Sequence, residues 1–135
     1  KMINKARLID TQSEYLEIDI DNLDLLRLNN KSLIRNFDVI FSMEVLYYLK
    51  SPKKTLQHIY SHILKKGGCC IIGIDHYLEN TDSLSWKEDL NVHMCTYSIQ
   101  EWKDLFIQAG FEHVNTYQCG KKKGWEGTLV FYAEK

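Results

Sequence analysis

Three segments predicted to be strands each end in side chains that could take part in chemistry. Asp19 ends the first, the run Ser-Met-Glu at 42–44 ends the second, and the run Asp-His-Tyr at 75–77 ends the third. Open parallel sheets bind their ligands beyond the carboxyl ends of the strands. If these strands are parallel, the groups meet at one edge of a sheet and line a ligand-binding crevice, although the pattern alone does not name the ligand.

The elements that must position these groups form a strand–helix–strand unit. Residues 37–42 (FDVIFS) are a near-continuous apolar run, typical of a strand covered on both faces. Ser51-Pro52 predicts a helix start, and Lys65-Lys66-Gly67 predicts its end with a left-handed glycine cap. Residues 69–74 (CCIIGI) predict a second buried strand. This order predicts a right-handed parallel crossover and an α/β fold. One apolar stripe along the helix joins Leu56, Ile59, Tyr60, Ile63 and Leu64.

The flanking segments carry their own signals. Residues 1–9 have helical spacing, residues 15–19 read as a short strand, and residues 21–36 and 75–95 read as polar loops. A capping box at Ser98 and Glu101 opens a helix that ends at Gly110 and turns Trp102, Leu105, Phe106 and Ala109 inward. Residues 114–119 and 128–133 predict an antiparallel hairpin.

Composition narrows the functional classes. The chain has 135 residues, 44% hydrophobic and 26% charged, which fits one globular domain. A net charge of −1 gives no field that attracts nucleic acid or membranes, and no apolar run reaches the ~18 residues of a membrane span. The run Lys121-Lys122-Lys123 reads as a solvated loop, and four cysteines without a CxxC pair favour a reduced, cytoplasmic protein.

The sequence of the strand–helix–strand unit resembles that of one enzyme family. The unit reads FDVIFSMEVLYYL followed by SPKKTLQHIYSHILKKGG. This sequence is similar to the fourth strand, the next helix and the start of the fifth strand of class I S-adenosylmethionine (SAM)-dependent methyltransferases. It departs from the family at Lys66, where a proline is usual. The Ala-Gly-Phe turn at 109–111, the helix segment MINKAR at 2–7 and the segment EIDI at 17–20 match the family's order. The resemblance is to the methyltransferase type 11, or ubiquinone-biosynthesis-like, group.

The resemblance implies a Rossmann-like methyltransferase fold, a mostly parallel sheet with a carboxyl-terminal antiparallel hairpin, and SAM as cofactor. It implies that Asp19 accepts a hydrogen bond from the adenine amino group and that Ile20 contacts the ring. Ser42 and Met43 would flank the methionine part of SAM. Tyr47 and Tyr48 would lie near the methyl group of SAM.

The implied reaction is in-line transfer of the SAM methyl group to a small-molecule acceptor, for which placement and exclusion of water supply most of the acceleration. A general base is optional. The candidates in the loop over the crevice are His76, Tyr77, Glu79 and His93, and Tyr47 lies close to the methyl position. Glu44 is expected to cap the following turn rather than to catalyse.

Two family features are missing: the motif G-x-G-x-G after the first strand and the acidic residue that ends the second. Residues 1–135 are therefore expected to be a single truncated domain without its first strands, with weak or no SAM binding alone. An assembly in which another chain fills the gap, such as a homo-oligomer, is the alternative.

Other functions compete with the methyltransferase reading. A methyltransferase-like module that binds or dimerises without catalysis would also lack the glycine motif, whereas a dehydrogenase would need G-x-G-x-x-G. His58 and His62 have the four-residue spacing that metal sites use, but they lack a third ligand, so no metal is expected. The neutral charge balance disfavours a nucleic-acid substrate.

Overall fold

Four strands and four helices make up the part of the chain that the computed structural model describes, residues 2–21 and 37–135. A single turn of 3-10 helix lies at Leu46–Tyr48, another lies at Thr81–Ser83, and a π-helical turn at Ile59–Ile63 extends the helix Pro52–His58. The strands and helices are α1 Met2–Ile9, β1 Phe37–Met43, α2 Pro52–His58, β2 Leu64–Ile74, α3 Trp86–Asp89, α4 Ile99–Ala109, β3 Glu112–Cys119 and β4 Thr128–Glu134.

The four strands form one mixed sheet in the order β1-β2-β4-β3. β1 and β2 are parallel, with Phe41 opposite Ile71, and α2 connects them, which confirms the predicted crossover. β4 pairs antiparallel with both β2 and β3, which confirms the predicted hairpin. The architecture is α/β, as the sequence predicts, and the carboxyl ends of β1 and β2 point to the same edge of the sheet.

Helix α4 packs its apolar side onto the sheet. Trp102 and Phe106 are fully buried, and the Phe106 ring stacks on Phe131 of β4 with 4.9 Å between centroids. The capping box is present: the Ser98 hydroxyl accepts from the Glu101 N–H, and the Glu101 carboxylate accepts from the Ser98 N–H. Gly110 ends the helix with a φ of 107°, in the left-handed region that favours glycine. These contacts confirm the predicted helix and its inward face.

Strand β1 is confirmed, but the prediction that both its faces are covered is wrong. It is an edge strand of the described sheet, and alternate residues along it are exposed, Val39 by 51% and Phe41 by 67%. Only Ile40 and Ser42 on the other face are half-buried. A continuous apolar run cannot distinguish an edge strand from a central strand, because both carry β-branched and aromatic residues.

The predicted glycine cap of the first crossover helix is also wrong. The helix ends at Ile63, Leu64 is already extended, and Gly67 lies within β2 with a φ of 75°. The reason is a long-range partner: the Gly67 N–H donates to the Lys135 carbonyl at 2.8 Å, and the Lys135 N–H donates to the Gly68 carbonyl at 2.9 Å. The chain end thus draws residues 64–68 into the sheet.

The predicted strand at residues 15–19 does not form. This segment is irregular, because no described strand lies beside it to take its backbone hydrogen bonds. Side chains of the preceding residues hold it instead: Arg7 donates to the Tyr15 carbonyl at 2.8 Å, and the Tyr15 hydroxyl donates to Asp10 at 3.1 Å. Most of the loop predicted at 21–36 lies outside the described residues, as does Lys1.

Candidate functional site

The carboxyl ends of β1 and β2 lie side by side, as the parallel pairing requires. Met43 is opposite Gly73, and the Glu44 N–H donates to the Gly73 carbonyl at 2.9 Å. Gly73 leaves room for the Met43 side chain, since a Cβ at position 73 would lie 2.4 Å from the Met43 sulfur. The runs 42–44 and 75–77 therefore share one edge of the sheet, which we call the β1–β2 rim.

The turn after β1 holds the two tyrosines. Tyr47 is buried and donates its hydroxyl to Glu44 Oε2 at 2.8 Å. Tyr48 is 41% exposed, and its ring centroid lies 4.4 Å from that of Tyr47. Tyr48 is thus the tyrosine that a ligand at the rim can reach, while Tyr47 fixes the position of Glu44.

The segment before residue 22 contacts the end of the turn that follows β1. The Asp21 carboxylate accepts the Lys50 N–H at 3.2 Å, and Ile20 packs against the buried core. Asp19 is exposed and accepts the Asp21 N–H at 3.0 Å. The contact through Asp21 brings Asp19 and Ile20 to the end of the turn that carries Tyr47 and Tyr48.

A second segment crosses this turn from the other side. The Cys95 N–H donates to the Tyr47 carbonyl at 2.7 Å, and the Leu49 carbonyl lies 3.3 Å from His93 Nε2. Burial raises the pKa of the Cys95 thiol, which keeps it protonated near neutral pH. The His93 side chain is exposed, as is that of Glu79, another predicted base candidate.

His76 is fully buried beneath the rim. Its Nδ1 lies 2.9 Å from the Ser83 carbonyl, which only accepts, so Nδ1 carries the proton and Nε2 accepts from the Thr96 hydroxyl at 2.7 Å. Burial lowers the pKa of the imidazole, which is therefore neutral at pH 7. Both nitrogens are engaged in holding residues 83 and 96 against the end of β2.

Tyr77 and Glu79 also make contacts away from the rim. The buried Tyr77 hydroxyl donates to the Gly127 carbonyl at 2.9 Å and accepts from Gln118 at 3.1 Å. Burial raises the pKa of this hydroxyl. Both oxygens of Glu79 lie 3.0 Å from the Ile99 N–H at the start of α4. Tyr77 thus joins β2 to the hairpin, and Glu79 helps to cap a helix.

The rim contains two carboxyl groups, Glu44 and Asp75, which the sequence places at the crevice without assigning either of them to cofactor binding or catalysis. Glu44 Oε1 and Asp75 Oδ1 are buried side-chain oxygens without a hydrogen-bond partner among the described residues. Burial raises the pKa of Glu44, the Tyr47 hydroxyl opposes this, and repulsion by Asp75 adds to it. The available signal was position: each residue directly follows a strand.

Metal-binding clusters and membrane-spanning helices are both absent from the described residues. Within residues 2–21 and 37–135, no group of three or more histidine, cysteine or acidic side chains is placed to hold a metal ion. The His58 and His62 rings are in edge contact, with centroids 4.8 Å apart. None of the helices in these two ranges is both long and apolar enough to cross a bilayer.

Sequence comparison relates this chain to methyltransferase domains and to polyketide synthases. A family model described as a methyltransferase domain matches residues 5–116. A non-reducing polyketide synthase of Metarhizium anisopliae is 20% identical over 126 residues, which is 88% of this chain and 6% of the synthase. The chain therefore spans only a small part of the curated relatives that it matches.

Solved structures share the fold. A chain in the complex of the Haloferax volcanii Trm112 methyltransferase activator with a methyltransferase has a TM-score of 0.78 and 25% identity, covering 98% of this chain and 66% of that chain. A SAM-dependent methyltransferase of Thermotoga maritima has a TM-score of 0.66 and 24% identity over 89% of this chain and 62% of that chain. The CMeT domain of the citrinin polyketide synthase has a TM-score of 0.74 and 12% identity over 98% of this chain and 36% of that chain.

The family match spans most of the chain, and these folds place the β1–β2 rim within a methyltransferase architecture. This chain belongs to the methyltransferase-domain family of class I SAM-dependent methyltransferases.

Proposed function

We propose that this chain contributes the β1–β2 rim as one wall of a SAM site, at which a methyl group passes to a small-molecule acceptor. The observation that supports the proposal is the hydrogen bond from the Lys50 N–H to Asp21, which links the segment that carries Asp19 and Ile20 to the turn that carries Tyr47 and Tyr48. The family match to a methyltransferase domain supports the reaction class.

The residues at the rim suit the cofactor chemically. Asp19 offers an exposed acceptor for the adenine amino group, and Ile20 offers apolar surface beside it. Ser42, Met43 and Tyr48 would surround the methionine part. The buried Glu44 and Asp75 oxygens without partners suit a cationic centre. When bound, SAM supplies an activated methyl group on a sulfonium.

The contacts divide the predicted catalytic residues by role. Tyr47 orients Glu44, and His76 and Tyr77 hold the loop and the hairpin around the end of β2. We propose that these three residues position the site. His93 is the side chain placed to exchange a proton with an acceptor, since it is exposed above the same turn.

The similarity to polyketide synthases favours an acceptor of polyketide type. Such an acceptor would enter over the loop that follows β2, where Trp86 and Leu90 are partly or fully open to solvent. The loop's aromatic and apolar side chains suit a carbon chain better than a polyanion, and the protein's near-neutral charge agrees with this.

SAM binding tests the proposal. Calorimetric titration of SAM should give saturable heat with the protein as encoded by its gene. Asp19→Ala should weaken binding about tenfold by removing the adenine contact, whereas Asp104→Ala on the outer side of α4 should not. Absence of heat with the folded, gene-encoded protein would contradict the cofactor assignment.

A second candidate function is a methyltransferase-like module that binds or dimerises without catalysis. The exposed apolar side chains along the β1 edge favour it. SAM binding without methyl transfer to any of a panel of polyketide-type acceptors, together with a stable dimer, would support this candidate over the first.

A further inference from the structure

Asn80 is a buried polar residue that joins two loops to the end of β2. It is 1% exposed, and its Nδ2 group donates to the Asp75 carbonyl at 2.7 Å. Its Oδ1 atom accepts the Glu126 N–H at a nitrogen–oxygen distance of 3.4 Å. A carbonyl only accepts and a backbone N–H only donates, so these partners fix the orientation of the Asn80 amide. Asn80 thus links the end of β2 to the loop between β3 and β4.

The backbone of Asn80 starts the 3-10 turn Thr81–Ser83. Asparagine at the start of a helical turn commonly caps it with its own side chain, but this side chain makes no capping hydrogen bond. The Asn80 carbonyl accepts the Ser83 N–H at 2.9 Å and the Ser83 hydroxyl at 2.8 Å. The turn is therefore held by other groups, and the Asn80 amide is directed to Asp75 instead.

Ring stacking holds the same two loops together. The Trp86 ring stacks on His76 and on Trp125, with 6.4 and 6.0 Å between centroids and 27° and 26° between planes. At the tip of the second loop, a Cβ at Gly124 would lie 3.7 Å from Asp82 Oδ2. The loop of residues 120–127 between β3 and β4, which we call the β3–β4 loop, therefore rests on the loop after β2 at several points.

Asp75 connects this arrangement to the rim. It directly follows β2, and Gly73 two residues earlier accepts the Glu44 N–H at 2.9 Å. Burial raises the pKa of the Glu44 carboxyl, and hydrogen bonds from the Tyr47 hydroxyl and the Asp75 N–H oppose that rise. Side chains therefore hold both backbone polar groups of Asp75: Glu44 accepts its N–H, and Asn80 donates to its carbonyl.

We propose that Asn80 is a positioning residue for methyl transfer, because it fixes the loop after β2 and the β3–β4 loop against the end of β2, on the acceptor side of the rim. This inference rests on the proposed function, in which the acceptor enters over the loop after β2. The positions proposed for SAM, residues 19–20, 42–43 and 48, lie on other segments. Asn80 should therefore affect transfer to the acceptor and leave the affinity for SAM unchanged.

Asn80→Asp removes the donor while it keeps the shape of the side chain. The ionised carboxylate accepts the Glu126 N–H but cannot donate to the Asp75 carbonyl, whereas the protonated form can do both. The introduced carboxyl meets acidic groups on the segments that Asn80 joins: Asp75, Glu79, Asp82 and Glu126. Burial and these negative charges both raise the pKa of a carboxyl. The variant should lose the contact at high pH and regain it as the pH falls.

The other titratable groups near position 80 do not supply a charge that changes this expectation. Burial lowers the pKa of His76 and raises that of Tyr77, so both are uncharged at neutral pH. Lys121 forms an ion pair with Glu126. The pH dependence of the variant is therefore compared with that of the wild type at each pH.

The experiment uses the gene-encoded protein and three measurements. These are kcat/KM for the polyketide-type acceptor that the wild type methylates fastest, SAM affinity by calorimetry, and amide hydrogen exchange corrected for the intrinsic rate at each pH. The Ser83 N–H donates to the Asn80 carbonyl and the Trp125 N–H to the Lys122 carbonyl, so the exchange of these two amides reports on the two loops.

The expected pattern depends on pH. At about pH 8.5, Asn80→Asp should lower kcat/KM for the acceptor about ten- to hundredfold, with SAM affinity within about twofold of the wild type. Exchange of the Ser83 and Trp125 amides should become about tenfold faster. At about pH 6.5, all of these values should return toward those of the wild type. Asn80→Ala, which has no donor at any pH, should show the loss without the recovery.

Asn115→Asp is the matched control. Asn115 is exposed on β3, and its amide also donates to a backbone carbonyl, that of His113 at 3.1 Å. The same chemical change there should leave turnover, SAM affinity and loop exchange as in the wild type at both pH values.

A folded Asn80→Asp protein with wild-type turnover and exchange at the higher pH would overturn the inference. Equal losses of turnover and SAM affinity would also overturn it, because they indicate a general loss of structure. If Asn80→Asp does not fold, Trp125→Ala decides: it should lower turnover without weakening SAM binding, and unchanged turnover would count against the inference. A wild type that binds no SAM or methylates no acceptor would overturn the proposed function and the positioning role with it, whereas hydrogen exchange would still show whether Asn80 joins the two loops.

Discussion

At the scale of residues, His76 illustrates how burial decides what a chemically versatile side chain does. Its two nitrogens contact the Ser83 carbonyl and the Thr96 hydroxyl, and its ring lies between Tyr47 and Trp86. These contacts join the end of β2 to two points of the following loop. The position after a buried strand could be predicted from sequence, but the partners could not, because they lie 7 and 20 residues away.

Replacement of His76 should reveal this role through the pH dependence of stability. Burial lowers the folded-state pKa of the imidazole below its ordinary value of 6.5, so around and below that pH the unfolded chain binds more protons than the folded one. The wild type should therefore lose stability as pH falls from 7.5 to 5.5. His76→Gln should cost about 1–3 kcal/mol at pH 7.5 and should show a shallower loss, measured by urea unfolding.

The matched control is the exposed His113, whose backbone is left-handed with a φ of 47°. Asparagine tolerates this conformation, so His113→Asn should retain the wild-type pH dependence. Equal slopes for wild type and His76→Gln would show that another group governs the stability change.

At the scale of elements, local signals predicted starts of helices better than their ends. The capping box of α4 lies within four residues, so the sequence contains all of it. The end of α2 and the course of residues 15–19 depend instead on which strands lie nearby. Lys135 pairs with Gly67 and Gly68, far away in sequence, and converts a predicted cap into part of β2. Pattern alone cannot supply such a partner.

Two serines at helix starts provide a test of capping. Ser98 accepts the Glu101 N–H with its hydroxyl, whereas Ser51 starts α2 without a side-chain cap hydrogen bond. Ser98→Ala should therefore cost about 1 kcal/mol of unfolding free energy, and Ser51→Ala much less. Guanidinium unfolding of both variants measures the difference, and equal losses would contradict a capping role for the Ser98 hydroxyl.

At the scale of the whole molecule, the described sheet has two unlike edges. β1 exposes Val39 and Phe41 at an edge that has no neighbouring strand among the described residues, and an apolar edge of this kind favours association with another strand. β3, at the other edge, exposes Tyr117 among polar residues. The sequence predicted both strands, but edge positions follow only from the complete order of the sheet.

The contribution of each sheet edge to self-association can be measured by sedimentation velocity. The 135-residue chain should associate as its concentration rises, and Phe41→Lys should weaken this association at least about tenfold by placing a charge on the apolar edge. Tyr117→Lys, the same change on the opposite edge, should have little effect. A stronger effect of Tyr117→Lys would place the association at β3 instead.

The contact between Trp86 and Trp125 has an optical consequence. Trp86 lies in the loop after β2, Trp125 lies in the loop between β3 and β4, and their rings stack with 6.0 Å between centroids and 26° between planes. Two indoles at this separation couple their electronic transitions, so the pair gives a circular-dichroism signal that neither ring gives alone. That signal disappears whenever the two loops separate, even if the sheet beneath them stays intact. The protein thus carries its own spectroscopic reporter for the contact between these two loops, without an added dye.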